Sequence, residues 1–550
     1  MPRRRIRPRL FLVALLSIAS VPAQAADPAE VAGAIRTIVE AGQIEGLRWP
    51  RFPDYQYILR DLYGVRDYQP LWLEGERPSE QAREAIAVLQ QADTKGLDAR
   101  DYDVETLGHQ LQQLAKRGED SPAALARVDV GLSVAVLRQI SDLHIGKVNP
   151  KNMDFGYDID PKKYDLAALV GEAVAQQRIR EVMKQAEPAF TQNQLLKDQI
   201  AHYRQLAADT SVSAVALKPK IAPGDPLEVA PQLARWLAAL GDLPSGTLVP
   251  TATYDAALVD AVKRFQARHG LEPDGVIGAA TARALAVPAA TRLRQIEYAL
   301  ERLRWIPALE SGRVVFVNVP GFELLAFDGI EPGSASSLRM AVVVGRALKN
   351  ETPIFTGVMR TVVFAPYWNV PRSIAKNEIL PKLRSNPGYL AAQQMDIVSG
   401  DVVLGSSSAA IAQLAEGKAR LRQRPGKKNA LGRVKFLFPN SNNVYLHDTP
   451  SQAAFQSARR DFSHGCIRLA SPGALARWVL EPEGWDAARV ENALAAKAEM
   501  RVTLQQPIPV VISYSTAVAR PDGTIAFYED IYRHDAALER ALAKGYPYLP

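Results

Sequence analysis

The residues most able to do chemistry lie between positions 445 and 469, which include Cys466, the single cysteine among 550 residues. Two histidines, His464 and His447, lie two and nineteen positions before it. An imidazole can accept a thiol proton, and the resulting imidazolium stabilises the thiolate, so such a pair can form a nucleophile. An inert buried thiol is the alternative, although the polar neighbours of Cys466 disfavour it. One cysteine and two histidines are too few for a structural zinc site.

The complete motif is more specific than the spacing. His447 is followed by fifteen other residues and then by Ser463, His464, Gly465, Cys466 and, two positions later, Arg468. This order resembles the signature of the L,D-transpeptidases, the YkuD-type cysteine transpeptidases of bacterial cell walls. The order of segments along the chain resembles the large Gram-negative YcbB-like branch of that family.

The resemblance implies a role for each residue around the motif. Cys466 would be the nucleophile, and His447 would be the base for its thiol and later the acid for the leaving amine. A main-chain carbonyl at or near Asp448, rather than its carboxylate, would orient the imidazole. No metal or cofactor is expected. The amides of Gly465 and Cys466 would hold the oxyanion, with Tyr445 beside it. Arg468 would bind a substrate carboxylate, and Ser463 and His464 would shape the site. Trp368 would form a wall of the substrate groove or simply pack.

Residues 1–25 have the composition of a cleavable secretory signal peptide. Five arginines precede an apolar run at positions 10–21, and Ala23-Gln24-Ala25 fits a cleavage site. The run is shorter than the roughly 20 residues that a membrane span requires. Removing five arginines from a net charge of +7 leaves +2, so charge does not favour a nucleic-acid partner. We therefore expect a protein exported to the periplasm.

A chain of 550 residues with 47% hydrophobic and 23% charged residues should form several globular domains. Helical periodicity predicts a mostly α scaffold domain over residues 26–210. The sequence segments at 69–72 and 141–150 resemble the scaffold domain of YcbB-like enzymes. A linker is expected at 210–226.

A second helical pattern at residues 227–287 predicts a small α bundle with its own core. Val262 and Phe265 share a helix face, Gly270 suits the end of that helix, and Thr281 is expected to cap the next one. The amino-acid sequence of residues 262–278 resembles that of a peptidoglycan-binding domain.

Residues 291–550 predict a β-rich α+β catalytic domain of the YkuD type. Two prolines flank Trp368 and place it in an edge strand or loop. Residues 372–432 form a long insertion that the resemblance makes a cap over the active site, and its basic run at 418–428 is interpreted as a solvated flexible loop. Strands are expected at 314–319, 340–344 and 361–364.

The resemblance implies a periplasmic enzyme that cuts a tetrapeptide stem between diaminopimelate and D-Ala and forms a cysteine thioester. The side-chain amine of a second diaminopimelate would then attack, giving a 3→3 cross-link, so donor and acceptor stems are the expected partners and carbapenems the expected inhibitors. Attack by water would instead make the protein an L,D-carboxypeptidase or a hydrolase. A non-catalytic peptidoglycan-binding scaffold is a further alternative, which the presence of Cys466 and His447 disfavours.

Overall fold

The computed structural model describes residues 26–117, 121–244, 246–247, 252–309, 312–330, 333–386 and 388–546. The predicted signal peptide lies outside these residues. Within the described ranges, every helix is too short or too polar to cross a bilayer.

The first third of the described chain is helical, as the sequence predicts. Asp27, Ser79, Ser121 and Asp165 precede helices and accept backbone N–H groups in the first turn. A hairpin of two short strands, β1 (Leu73–Glu74) and β2 (Arg77–Pro78), interrupts this region. The helices are α1 (Pro28–Ala41), α2 (Gln56–Gly64), α3 (Glu80–Leu89), α4 (Val104–Arg117), α5 (Pro122–Ile145), α6 (Leu166–Ala175), α7 (Ile179–Gln185) and α8 (Thr191–Ala208). Short 3₁₀ turns occur at Ala92–Lys95, Ala99–Tyr102, Pro150–Met153 and Asp160–Lys162.

Helix α5 is buried on nearly all sides and carries the polar residue Asp129. Its carboxylate accepts the backbone N–H groups of Leu71 and Trp72, at 2.9 and 2.8 Å, and the Tyr63 hydroxyl. The segment at 69–72 is therefore anchored to the core through both its main chain and the buried Trp72 ring.

The second helical group consists of α9 (Ala230–Ala239), α10 (Ala256–Arg268) and α11 (Ala279–Leu285). Gly270 follows α10 with φ +68°, as expected for the end of a helix. Thr281 does not cap α11, because Gly278 precedes that helix and the Thr281 hydroxyl accepts from Gln266 inside the bundle. The expected linker also packs, since Val215 is buried and residue 221 pairs with residue 277.

The prediction of a separate core for this bundle is wrong. Its apolar residues form one cluster with residues of α8, of the following helix α12 (Ala289–Trp305) and of a C-terminal hairpin at 517–527. Arg268 on α10 illustrates the contact, since it pairs with Asp242 and donates to the Ile525 carbonyl at 2.6 Å.

The β-rich domain begins after α12 with β3 (Val314–Asn318), β4 (Glu323–Phe327), β5 (Leu338–Gly345) and β6 (Phe355–Phe364). The insertion follows, and it is a folded unit. The edge strand β7 (Trp368–Asn369) precedes it, and it contains α13 (Arg372–Ile374), a π-helical turn (Ala375–Ile379), α14 (Leu380–Ser385), α15 (Tyr389–Ala392), β8 (Met395–Ser399), β9 (Val402–Val403), α16 (Ser408–Glu416) and β10 (Arg420–Gln423).

The insertion has its own apolar core and a four-stranded sheet in the order β7-β10-β8-β9. Part of the basic run lies in β10, a central strand of this sheet, which corrects the expectation of a flexible loop. The run of basic residues resembles a solvated loop, but Arg420 and Arg422 alternate with the buried Leu421, which is the pattern of a strand with one buried face. Trp368 lies at the sheet edge, as its flanking prolines predict.

The remaining elements are β11 (Val434–Leu437), β12 (Leu446–His447), a 3₁₀ turn (Gln452–Gln456), β13 (Asp461–Ser463), β14 (Ile467–Leu469), α17 (Pro472–Leu480), a 3₁₀ turn (Glu481–Glu483), α18 (Ala487–Leu494), β15 (Met500–Ser513), β16 (Ala517–Ala519), β17 (Ile525–Phe527) and α19 (His534–Leu542). The main sheet has nine strands in the order β13-β5-β14-β12-β11-β6-β15-β3-β4, and β4 also pairs with β5. The fold is therefore a multidomain one, with a helical N-terminal part and a β-rich C-terminal domain, as the sequence predicts.

Candidate active site

The pairing of β12 with β14 brings the two halves of the motif together. These strands are parallel and interior to the main sheet, with Leu446 opposite Ile467 and His447 opposite Arg468. The Ile467 amide donates to the Tyr445 carbonyl at 3.1 Å. Cys466 immediately precedes β14, so the thiol lies at the end of the strand that neighbours His447.

The turn that carries Cys466 is held by hydroxyl groups. The Ser463 hydroxyl donates to the Cys466 carbonyl at 2.5 Å and accepts the Gly465 amide at 3.1 Å. Gly465 has φ +111°, which a residue with a β-carbon rarely adopts. The Gly465 amide, expected to hold an oxyanion, is thus engaged by Ser463 in this structure.

Thr352 supports the same turn from the adjacent loop. Its buried hydroxyl donates to the Gly465 carbonyl and accepts the Gly345 amide, both at 2.8 Å. The Tyr532 hydroxyl donates to the Gly345 carbonyl and accepts the Thr352 amide. Sequence reasoning missed Thr352 and Tyr532, because neither belongs to a local motif.

The Cys466 thiol is partly buried, and its sulfur is 3.8 Å from the Asn443 carbonyl, to which it donates. Burial raises the pKa of the thiol, while hydrogen bonds with Tyr445 and the charge of Arg468 act in the opposite direction. The resting cysteine is consequently a neutral thiol near pH 7.

His447 is buried, and its Nδ1 atom lies 2.5 Å from the Asp448 carbonyl oxygen. Because a carbonyl can only accept, Nδ1 carries the proton and Nε2 keeps its lone pair. Burial, together with the charges of Arg468 and Lys435, lowers the pKa of His447 to about 3 against the opposing effect of the Asp448 bond. The imidazole is therefore neutral and has the tautomer required of a base at Nε2.

The carboxylate of Asp448 is occupied elsewhere. It accepts the backbone N–H groups of Arg433 and Thr449, at 2.8 and 2.7 Å. The main chain of Asp448, rather than its carboxylate, thus contacts the imidazole, as the family resemblance implies.

Tyr445 lies beside both reactive groups. Its ring packs edge-on to that of His447, with centroids 5.7 Å apart, and its hydroxyl hydrogen-bonds with the thiol. Burial raises the pKa of Tyr445, so its hydroxyl stays protonated and can donate. Arg468 is half-buried, and burial lowers its pKa, although the guanidinium remains charged.

The insertion contacts the motif through His464. The exposed imidazole Nε2 lies 2.7 Å from Oε1 of Glu378, in the π-helical turn of the insertion. Trp368 pairs with Gln423 and packs against the core of the insertion. Within the described residues, no group of three or more His, Cys, Asp or Glu side chains is placed to hold a metal ion.

Family comparisons agree with this architecture. Residues 312–512 match the model described as the L,D-transpeptidase catalytic domain, YkuD. Residues 230–285 match the "Putative peptidoglycan binding domain", and residues 58–200 match the scaffold domain. The chain thus contains a YkuD-type L,D-transpeptidase catalytic domain together with a peptidoglycan-binding and a scaffold domain.

A protein of Haemophilus influenzae described as "Putative L,D-transpeptidase" is 32% identical over 244 residues, which are 44% of this chain and 48% of that relative. The match therefore spans about half the length of the relative. A crystal structure of an L,D-transpeptidase from Xylanimonas cellulosilytica aligns at 17% identity over 54% of this chain and 98% of that chain, with a TM-score of 0.17.

Proposed function

We propose that this protein is a periplasmic L,D-transpeptidase that forms 3→3 peptidoglycan cross-links through a thioester on Cys466. The main support is the parallel pairing of β12 with β14, which places a neutral, correctly tautomerised His447 one strand from the thiol. The match of residues 312–512 to the catalytic-domain model supports the same activity.

In the first half-reaction, the Cys466 sulfur attacks the carbonyl carbon of the diaminopimelate residue in the donor stem. Nε2 of His447 accepts the thiol proton as the carbon–sulfur bond forms. Both groups start neutral, so the thiol proton passes to His447 within the reacting pair. The tetrahedral intermediate then expels the D-Ala amine, which takes the proton from the imidazolium, and a thioester remains.

Charge develops on the carbonyl oxygen during this attack. The Tyr445 hydroxyl already bonds with the thiol, so it is close to the carbonyl that bonds to sulfur and can donate to its oxygen. We assign the second donor to the Cys466 amide. The Gly465 amide can contribute only when Ser463 releases it.

In the second half-reaction, the side-chain amine of an acceptor diaminopimelate attacks the thioester carbon. His447 accepts the amine proton and returns it to the departing sulfur, which leaves a new amide and a free thiol. One amide is broken and one is formed, so no ATP is needed. Arg468 offers a planar fork for a substrate carboxylate, and its partial burial strengthens that interaction.

The insertion would act as a cap during this step. Because Glu378 of the insertion contacts His464, the insertion lies next to the turn that carries Cys466. Excluding water from this region favours attack by the amine acceptor over hydrolysis. The predicted signal peptide and the domain at 230–285 support a role at the wall. Assignment to the YcbB-like branch stays a prediction.

Mass spectrometry of purified tetrapeptide muropeptides incubated with the protein tests the proposal. We expect 3→3 dimers and released D-Ala, and we expect neither with Cys466→Ala. Tripeptide products without dimers would make the protein an L,D-carboxypeptidase. An unchanged substrate, bound but not cut, would leave only the scaffold alternative.

A further inference from the structure

The scaffold contains a cavity of about 270 Å³ that the proposed reaction does not use. It lies between the start of α2, the end of α5 and the loop before α6. The segment at 141–150 forms one wall of it and contributes Ser141, Asp142, His144 and Asn149. The space suits one pyranose ring with an N-acetyl group.

Two tyrosines on this cavity are unusually exposed. Tyr57 is 63% and Tyr164 is 41% exposed, and both line the cavity. The Tyr164 ring is stacked on the His144 imidazole, with centroids 3.9 Å apart and planes inclined by 16°. His144 is itself fixed by the Lys162 carbonyl at 2.8 Å from Nε2. Tyr164 is therefore a rigid aromatic platform, and the C–H face of a sugar ring packs on such a surface.

The wall of the cavity also carries polar side chains, among them Asp54, Ser141 and Asn149. Their oxygen atoms can accept hydrogen bonds from the hydroxyl and amide N–H groups of a ligand. An aromatic platform beside a carboxylate fits a neutral ligand rich in hydroxyl groups.

The cavity wall is joined to the catalytic domain. The backbone N–H groups of Lys147 and Val148 donate to Oε1 of Glu301 on α12, at 2.5 and 3.0 Å. Lys162 donates to the carbonyls of Arg304 and Ile306, at 2.7 and 3.1 Å. Since α12 leads into the main sheet, a ligand in this cavity is held in a fixed relation to Cys466.

We propose that this cavity binds an N-acetylhexosamine unit of a glycan strand, giving the scaffold a glycan site of its own. The choice of an N-acetylated sugar rests on the proposed function at the wall, whereas the platform and carboxylate require only a neutral pyranose. The site would hold the glycan whose stem enters the active site, in addition to any contact made by residues 227–287.

Photo-crosslinking of the full-length protein with a chitotetraose that carries a diazirine at its reducing end tests this site. We expect labelled peptides that include Tyr57 or residues 141–166. Tyr57→Ala and Tyr164→Ala should each weaken chitotetraose binding about tenfold, which corresponds to about 1.4 kcal/mol. Tyr164→Phe keeps the ring and should bind like the wild type. Val65→Ala, an exposed position at the far end of α2, is the matched control.

Labelling confined to residues 227–287, or equal binding by the tyrosine variants, would overturn the proposal. Displacement of the sugar by a free stem tetrapeptide at Tyr164 would identify a peptide site instead. Circular dichroism checks the fold of each variant, and Tyr57→Ala, in the first turn of α2, provides a second test if Tyr164→Ala unfolds. Binding is measured without turnover, so a lack of 3→3 dimers would count against the proposed function and not against this site.

Discussion

Lowering the pH from 7 to 5 should leave the rate of Cys466 acylation almost unchanged. Burial lowers the pKa of His447 to about 3, so its Nε2 lone pair stays available over this range. Burial also raises the pKa of the Cys466 thiol, which therefore stays protonated. Neither His447 nor Cys466 titrates between pH 5 and 7, so both side chains keep the same protonation state over this range.

The expected difference from an ordinary histidine is large. An imidazole with a pKa of about 6.5 is neutral in about 76% of molecules at pH 7 and about 3% at pH 5. A rate that requires the neutral base would then fall roughly 25-fold. With a pKa of about 3, the neutral fraction at pH 5 is still about 99%. The two cases differ by more than an order of magnitude at pH 5.

Intact-mass spectrometry can follow acylation by a carbapenem at concentrations below saturation, from pH 4.5 to 8. Second-order rate constants under these conditions report the ionisation of the free enzyme. Alkylation of the same thiol by iodoacetamide is the control, since it needs the thiolate and should accelerate only at alkaline pH. A midpoint near pH 6.5 in the acylation profile, with the fold intact by circular dichroism, would refute the neutral-pair reasoning.

The other predictions concern single changes. Cys466→Ala should abolish 3→3 dimer formation without lowering the thermal midpoint, because a partly exposed thiol contributes little packing; an active variant would remove the nucleophile assignment. A carbapenem should give one covalent adduct on the peptide that contains Cys466, and an active enzyme that stays unmodified would contradict this. Deleting residues 372–432 should reduce dimer formation far more than sedimentation with peptidoglycan, and Glu378→Gln should raise the share of hydrolysed product; wild-type dimer rates in the deletion would exclude a cap. Gly146→Ala should lower the thermal midpoint, because a β-carbon there would lie 2.5 Å from Nε1 of Trp305; an unchanged midpoint would show that α12 can move.

The site was predictable where its chemistry is local in sequence. His447 and Cys466 lie in one continuous stretch of the chain, and the signature that spans them covers β12, a 3₁₀ turn, β13 and the start of β14. The strands of the main sheet were also readable, because β-branched residues at 340–344 and 361–364 suit a buried sheet. The neutral state of the His447 and Cys466 pair could not be read, since it depends on burial by residues from other strands.

The supports of the site were not predictable, because they act over long distances in sequence. The Thr352 hydroxyl binds the Gly465 carbonyl across 113 positions, and the Tyr532 hydroxyl binds the Gly345 carbonyl across 187. One threonine among many carries no local signal for such a bond. The prediction of a separate core for the bundle was wrong for a similar reason. The apolar face of α10 does not specify which segment of the chain will cover it.

That shared core changes how the domains can be tested. After β15 the chain leaves the main sheet, and the hairpin of β16 and β17 packs with α8, α10 and α12. Arg268 of the bundle donates to Ile525 of the hairpin, so removing residues 227–287 would uncover apolar surface on both neighbours. The insertion differs, since all buried residues of its core except Val370 belong to it and its removal leaves the main sheet paired. Deletion can therefore test the insertion without disturbing the main sheet, whereas the peptidoglycan-binding bundle requires point substitutions on its exposed surface.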